Sequence, residues 1–341
     1  MKAIVKTKPD VGLELLDVPM PEVKPDELLV KVLATGICGS DQEIYKWAPS
    51  KQFIKPGTII GHEFFGEVVD MGNEVHGFSV GDRISSDSHL PCGKCYLCRT
   101  GKPHLCMKSG ILGNHVNGCF AEYLALPQAA AIKMDPATNP VYGALMEPMG
   151  VVYHAAMRTP LSGRRVLVIG AGALGYMMVH AAKTLGASRV MVSSTNDDKI
   201  RMLLEEGADF AVNSRKTDPV KEIMEYTHGV GADVIFEMSG AVPMMKMAYD
   251  CAAYQGTIVN VGIPSGPVTI EDYWNTCMTK ELTMTSSFGR LFYETWELMA
   301  DLLETGKLKP EKYVCGTLPL EQFEEGFAKA RGAMGRVVFT L

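Results

Sequence analysis

Residues 166–175 read VLVIGAGALG: an apolar run, a glycine-rich turn and the start of a second apolar run. A G-x-G-x-x-G by itself says little, because unrelated loops produce it. Here it follows a strand-like run and opens a helix-like one, the context a dinucleotide site requires. Gly170 permits a tight turn, Gly172 lets the backbone approach a pyrophosphate, and Gly175 lets the helix lie close on the strand. Ala173 and Leu174 then carry free amides at a helix N-terminus, where the dipole also favours an anion.

The surrounding pattern extends this unit. Beyond about residue 150, strand-like runs at 165–169, 189–193, 232–238 and 257–261 alternate with helix-like stretches at 173–185 and 199–206. That alternation predicts βαβ units on a parallel sheet. Val261, Gly262 and Ile263 lie at and just past the end of the last run and are further candidate cofactor contacts. The edge of this domain near 260–269 is expected to pair across a subunit interface.

The first half is different. Short apolar runs at 28–33 (LLVKVL), 66–70 (GEVVD) and 83–85 are punctuated by turn residues, which suggests an antiparallel, barrel-like domain. The last fifty residues change again, with a helix at 292–305 capped by Gly306, a strand at 313–316, a helix at 320–330 and a strand at 335–341. The 341 residues thus divide into segments 1–150, 151–288 and 289–341, enough for two domains of ~100–200 residues.

The net charge is −6, with both signs dispersed and no basic block, so nucleic acid is not an expected partner. The N-terminus reaches Pro9 and Asp10 without an apolar core, and no run approaches the ~20 apolar residues of a membrane span. A soluble, cytoplasmic protein without a membrane partner is expected. The cysteine count is nine, and an odd number in such a chain argues against a disulfide framework.

Four of the nine, Cys92, Cys95, Cys98 and Cys106, follow the spacing C-x2-C-x2-C-x7-C. Four thiolates this close in sequence suit a closed, tetrahedral and therefore structural zinc site. Iron–sulfur ligation is the metal alternative, but nothing else in the chain calls for electron transfer. Cys38, in GICGSD, and His62-Glu63, in GHEFFG, form a second, scattered set. Taken singly, Cys38 reads as a small buried hydrophobe.

The strand at 189–193 should lead to the residue that meets the adenosine ribose. Folds that prefer NAD place an acid there, about 20 residues past the glycines. Ser194 occupies that point, and its lack of charge removes repulsion against a 2′-phosphate. Lys199 and Arg201 are close enough in sequence to pair with one, so NADP is favoured. Asp197 and Asp198 keep NAD as the alternative, should the strand run further.

Gly61-His62-Glu63, Gly66, Gly72 and Val75 carry the zinc alcohol dehydrogenase signature. With the GFSVGDR segment at 77–83, the cysteine lobe, GCFAEY at 118–123 and EPMG at 147–150, the chain resembles the zinc-containing medium-chain dehydrogenase/reductase superfamily over its full length. It looks most like the L-threonine 3-dehydrogenase and polyol (sorbitol-like) dehydrogenase branch. Gly289-Arg290 followed by Glu294-Thr-Trp296 is especially like threonine dehydrogenases.

The resemblance implies an α/β protein with a GroES-like β-rich catalytic domain, built from both chain ends, and an inserted Rossmann domain. It implies two zinc ions per chain. Cys38, His62 and Glu147 would surround the catalytic one, with Glu63 an exchangeable ligand or supporting partner, and the four lobe cysteines would hold the structural one. A zinc with an open position acts as a Lewis acid on an alcohol oxygen, and the dinucleotide takes the hydride. Family members pass the proton through the hydroxyl at Ser40, with Asp41 a structural acceptor. His89 matches a histidine that lines the substrate cleft, and Arg290 is a candidate contact to the cofactor ribose or an anionic substrate group. Family members are commonly homodimers or homotetramers.

Two positions depart from the threonine dehydrogenases. Glu43 stands where they carry a relay histidine, and Val151 follows EPMG where they tend to carry asparagine. The main expectation is therefore reversible oxidation of a small polyol, sugar-derived alcohol or hydroxy acid at a secondary hydroxyl. Oxidation of L-threonine is the alternative within enzymes. A protein that binds zinc and dinucleotide without turnover is the alternative outside them, and the retained Cys38, His62 and Glu147 speak against it.

Overall fold

The computed structural model describes residues 1–341. Met1–Gly150, Gly289–Asp301 and Lys309–Leu341 form one compact unit; Val151–Phe288 and Leu302–Leu308 form the other. The short segment Leu302–Leu308 lies with the second unit rather than with the rest of 289–341.

The first unit is built on a seven-stranded sheet. Glu27–Gly36 is its long central strand, with Glu63–Met71 antiparallel on one side and the C-terminal strand Arg336–Thr340 antiparallel on the other. Two register shifts, at Leu29/Val30 and Val32/Ala34, bend the central pair as bulges do. The fully buried Ile4, Leu28, Val30, Phe64, Phe120 and Phe339 fill the core, and Phe120 meets Phe339 edge-to-face at 5.6 Å.

Register here decides what meets what at the strand ends. Gly36 is the partner of Glu63 on one side and of Val338 on the other. Continuing both pairings past Gly36 carries Cys38 to the level of Gly61 on one neighbour and of Arg336 on the other. A Cβ at Gly36 would lie 2.6 Å from Glu63 Oε2, so only glycine leaves that carboxylate its place.

The second unit is a six-stranded sheet, wholly parallel, in the order Phe210–Asn213, Arg189–Ser194, Arg165–Ile169, Ala232–Glu237, Ala252–Asn260, Thr283–Ser286. The order reverses direction between the third and fourth of these, which in open α/β sheets is where ligands bind. The fold class is the expected α/β arrangement. Strands with apolar runs, such as Arg165–Ile169, are buried on both faces. The four-residue strand Phe210–Asn213, partly exposed and with only three apolar residues in a row, gives a weaker sequence signal. The expected pairing edge at 260–269 needs correction: the strand Ala252–Asn260 stops at its start, and the sheet edge is Thr283–Ser286. No helix is long and apolar enough to cross a membrane.

Candidate active site and cofactor cradle

The four lobe cysteines are free thiols whose sulfurs all lie within 4.8 Å of one another. Cys95 Sγ is 3.5 Å from Cys98 Sγ and 3.9 Å from Cys106 Sγ. Four sulfurs tetrahedral about one zinc at ~2.3 Å would stand ~3.8 Å apart, so the set has zinc's dimensions. Backbone amides support it: Cys92 N and Lys108 N donate to Cys106 Sγ at 3.3 and 3.4 Å. The amides of Cys98 and Met107 lower the Cys95 thiol to about 6, a thiolate at neutral pH, whereas burial raises Cys98 to about 12. Thiolates are the form that ligates a metal.

The second cluster collects Cys38, His62 and Glu63, again with ligand atoms within 4.8 Å of one another. Cys38 caps the helix Gly39–Tyr45, and Asp41 Oδ2 accepts from its backbone N at 2.9 Å. The other oxygen, Asp41 Oδ1, faces His62 Nδ1 at 3.5 Å, an ion-pair distance rather than a hydrogen bond. Burial works to lower the imidazole's pKa, but the charges of Asp41 and Cys38 outweigh it and hold His62 well above its ordinary value. One thiol, one imidazole and a carboxylate together form a donor set that suits zinc.

The two glutamates near this cluster are each held by an arginine. Arg336 forks onto Glu63, with Nε 3.0 Å from Oε2 and Nη2 2.9 Å from Oε1, and its Nη2 also lies 3.8 Å from Cys38 Sγ. Burial raises the Glu63 carboxyl despite that fork, and the charge of Glu147 adds to the rise. Glu147, in the first turn of the helix Met146–Ala156, places Oε1 2.7 Å from Arg290 Nη1 and stands outside the Cys38–His62–Glu63 group.

Arg290 turns inward. It is 1% exposed, and its Nη2 donates to Asp87 Oδ1 and Ser88 Oγ, both at 2.7 Å. Against the cost of burial, Asp87 and Glu147 hold the guanidinium charged, and Arg290 in turn keeps Asp87 far below the usual carboxylate range. This corrects the expected role of Arg290: a guanidinium engaged by two buried carboxylates is not free to meet a ribose or a substrate anion. His89 is also buried, with Nδ1 3.3 Å from Asp87 Oδ1 and 3.4 Å from Arg290 Nη2, and belongs to the same cluster.

Ser40 and Glu43 are half-buried and lie three residues apart on the helix Gly39–Tyr45, hence on one face. Glu43 Oε1 is 3.7 Å from Lys46 Nζ.

In the second unit the strand Arg165–Ile169 ends at Gly170, whose φ is +106°. Gly172 caps the helix Ala173–Thr184, so the amides of Ala173, Leu174 and Gly175 open its first turn. A Cβ at Gly175 would sit 1.9 Å from Gly170 O, the close helix–strand contact the motif requires. The strand Arg189–Ser194 ends at Ser194, whose Oγ accepts from Asn196 N at 3.3 Å. Asp197 binds Asn213 and Lys216, and Asp198 binds Arg201 at 2.8 Å. Both acids, and Arg201 with them, are thus occupied locally. Lys199 is half-buried, and that burial lowers its pKa.

Val261 N and Gly262 N donate to the carbonyl of Glu237 at 2.9 Å, while Ile263 is 85% exposed. The Glu237 side chain, fully buried, accepts from Ser239 N at 3.0 Å, from the Ser239 hydroxyl, and from Gly240 N at 3.0 Å. Its side chain thus fixes the loop after its own strand, while its backbone carbonyl holds the loop after the neighbouring strand Ala252–Asn260. Sequence reading missed Glu237 and Arg336. The signal for Glu237 was an acid closing the apolar run Val234–Phe236; for Arg336 there was none, because its partner is 273 residues away.

Two zinc-capable clusters, a mainly antiparallel seven-stranded sheet and a Gly-rich turn opening a parallel sheet define a class, the zinc-binding alcohol dehydrogenases. Residues 24–136 match the alcohol dehydrogenase GroES-like domain and 173–305 match the zinc-binding dehydrogenase domain, and the chain belongs to this family. It is 40% identical over 344 residues to an L-threonine 3-dehydrogenase of Pyrococcus horikoshii, covering 100% of this chain and 99% of the relative. Among solved structures, a zinc-binding dehydrogenase of Sinorhizobium meliloti 1021 bound to NADP is 29% identical with a TM-score of 0.90. An alcohol dehydrogenase of Escherichia coli CFT073 complexed with NADH is 29% identical with a TM-score of 0.91. Each covers 100% of this chain and 99% of its own. The chain is therefore an oxidoreductase of the zinc-dependent, nicotinamide-linked kind acting on small alcohols.

Proposed function

We propose that the protein oxidises the 3-hydroxyl of L-threonine to 2-amino-3-ketobutyrate. The observation that carries this reading is the 40% identity, over the whole chain, to an L-threonine 3-dehydrogenase. It reverses the order expected from sequence, in which a polyol came first. The specific observation favouring a polyol or hydroxy acid as the second reading is Glu43, at a position where threonine dehydrogenases carry histidine.

Cys38 and His62, with Glu63 or Glu147 as the exchangeable carboxylate, would hold one zinc, and Cys92, Cys95, Cys98 and Cys106 the other. When bound, the first metal would supply Lewis-acid polarisation of the substrate oxygen and the dinucleotide would supply the hydride acceptor. The chain's own residues do the rest. Asp41 orients His62, as an acidic partner does for a ligating histidine. Arg336 holds Glu63 in a two-point fork beside Cys38. Ser40 takes the substrate proton at its hydroxyl, and Glu43, on the same helix face, receives it at its carboxylate.

NADP is the favoured acceptor, with Gly170, Gly172 and Gly175 framing the pyrophosphate. The strand end at Ser194, Lys199 on the helix that follows it and the occupied Asp197 and Asp198 support this preference. Self-association is proposed through the edge strand Thr283–Ser286, which carries the exposed Met284. The test is a panel of L-threonine, polyols, sugar phosphates and hydroxy acids against NAD and NADP, followed at 340 nm. L-Threonine with NADP should give the highest kcat/KM; a polyol ahead of it overturns the substrate, and a ratio of NADP to NAD at or below one overturns the cofactor.

A further inference from the structure

A 3-hydroxy amino acid brings a carboxylate to the site, and something must receive it. The arginines around the Cys38–His62–Glu63 cluster are already committed: Arg336 to Glu63, and Arg290 to Asp87 and Glu147. Lys6 is buried, donating to the carbonyls of Asp10 and Gly12 with its ammonium 4.9 Å from the Trp47 ring centre. Lys46 lies at Glu43. Lys51 differs. It is half-buried, and its ammonium meets a neutral acceptor, Asn114 Oδ1, at 3.4 Å.

The two segments that make this contact are each tied to a candidate metal ligand. Lys51 ends the short turn Pro49–Lys51, which follows the helix capped by Cys38; Ala48 N donates to Glu43 O and Lys51 N to Ala48 O. Asn114 belongs to a loop pressed against the backbone just before His62. A Cβ at Gly113 would lie 2.5 Å from Gly61 O, one at Gly118 2.0 Å from the same atom, and Cys119 N donates to Gly61 O at 3.0 Å. Phe53 stacks on His115 with ring centres 5.0 Å apart, which pins one segment to the other. An uncompensated ammonium, partly withdrawn from water and steadied by an amide, is a receptor for one more anionic oxygen.

Resting on the threonine reading above, we propose that Lys51, steadied by Asn114, binds the carboxylate of the amino-acid substrate and so selects acids over neutral alcohols. A carboxylate would take one ammonium hydrogen while Asn114 Oδ1 keeps another. No proton or electron moves in this step; it is recognition alone.

The experiment compares kcat/KM for L-threonine and L-threonine amide, which lacks the negative charge, in the zinc-loaded full chain. In wild type the acid should be preferred. In Lys51→Met that preference should fall roughly 10–100-fold, the range of a hydrogen bond between charged groups, chiefly through the KM of L-threonine. Lys51→Arg should restore part of it, and Asn114→Ala should lose a smaller part. Zinc content and Tm of each variant show whether it is folded; if Lys51→Met is not, the Arg and Asn114 variants carry the test. A wild type that oxidises L-threonine but whose preference survives in Lys51→Met overturns this inference and leaves the threonine reading standing. A wild type that prefers neutral polyols overturns the threonine reading, and this inference with it.

Discussion

The two cysteine-containing clusters are opposite kinds of site. In the lobe, all four donors come from 15 consecutive residues, 92–106, and the donors touch one another and backbone amides. In the other cluster the donors come from a helix cap and the start of a strand, and every acidic group nearby already has a cationic or histidine partner: Glu63 with Arg336, Glu147 with Arg290, Asp41 with His62. The first needs only a metal to be complete. The second is held in tension, because the Glu63 carboxylate that lies within 4.8 Å of the Cys38 and His62 donors is also forked onto Arg336, and this suits a site whose coordination changes during turnover.

The sharpest way to break that contrast is to remove one thiol from each. Cys38→Ala should lower kcat by about 10³-fold or more, since Lewis-acid stabilisation is worth several kcal/mol, while the chain stays folded and loses one zinc. Cys95→Ser should act on stability instead: zinc content falls and Tm drops, because binding energy at a closed site is folding energy. Equal losses of Tm in the two variants, measured with metal analysis by calorimetry, would mean that both clusters are structural.

Next in size is Arg336. Arg336→Met leaves Glu63 buried and unpaired and should cost about 3–5 kcal/mol of stability, the usual penalty for orphaning a buried charge. The double variant with Glu63→Gln should recover a large part. Denaturant midpoints of the single and double variants decide; no recovery would show that the arginine acts elsewhere.

These residues also mark the limits of sequence reading. The lobe was legible because its geometry is set by short-range spacing. The glycine motif was legible because strand, turn and helix are contiguous. Cys38 and His62 could be grouped only through family resemblance, because what joins them is the pairing of Glu27–Gly36 with Glu63–Met71. Arg336 reaches the same point through the pairing of Thr340 to Ala34 and Val338 to Gly36, a fact of long-range register that no local pattern encodes. Arg290 was misread for the complementary reason: a Gly-Arg loop looks exposed until Asp87 and Glu147 are found on either side of the guanidinium.

A smaller effect is expected at Asp41, which touches His62 rather than any substrate. Asp41→Asn keeps the shape and removes the charge that favours His62. Zinc affinity at that cluster should fall roughly 10–100-fold, as it does when the carboxylate behind a ligating histidine is lost. The lobe should keep its metal, so competition with a graded chelator should release one zinc early and one late. Simultaneous release would erase the distinction between the clusters.

The smallest effect serves as the control. Arg165 and Asp233 form a two-point fork in the second unit, with Nη2 2.6 Å from Oδ1 and Nε 2.9 Å from Oδ2. Burial pushes the Asp233 carboxyl up, but Arg165 more than offsets it, so its pKa lies below the ordinary value. A carboxyl with a lowered folded value stabilises fully above its unfolded pKa of ~3.9, and that contribution disappears as pH falls through the folded value. Asp233→Asn should therefore melt slightly below wild type at pH 7, by about 1 kcal/mol or less because the pair is screened by solvent. The gap should close as pH drops below about 4. Neither zinc content nor kcat should change, since the fork belongs to neither cluster. A loss of kcat at pH 7 in this variant would mean that arginine–carboxylate pairs matter to turnover wherever they lie, and the tension assigned to Glu63 would lose its special standing.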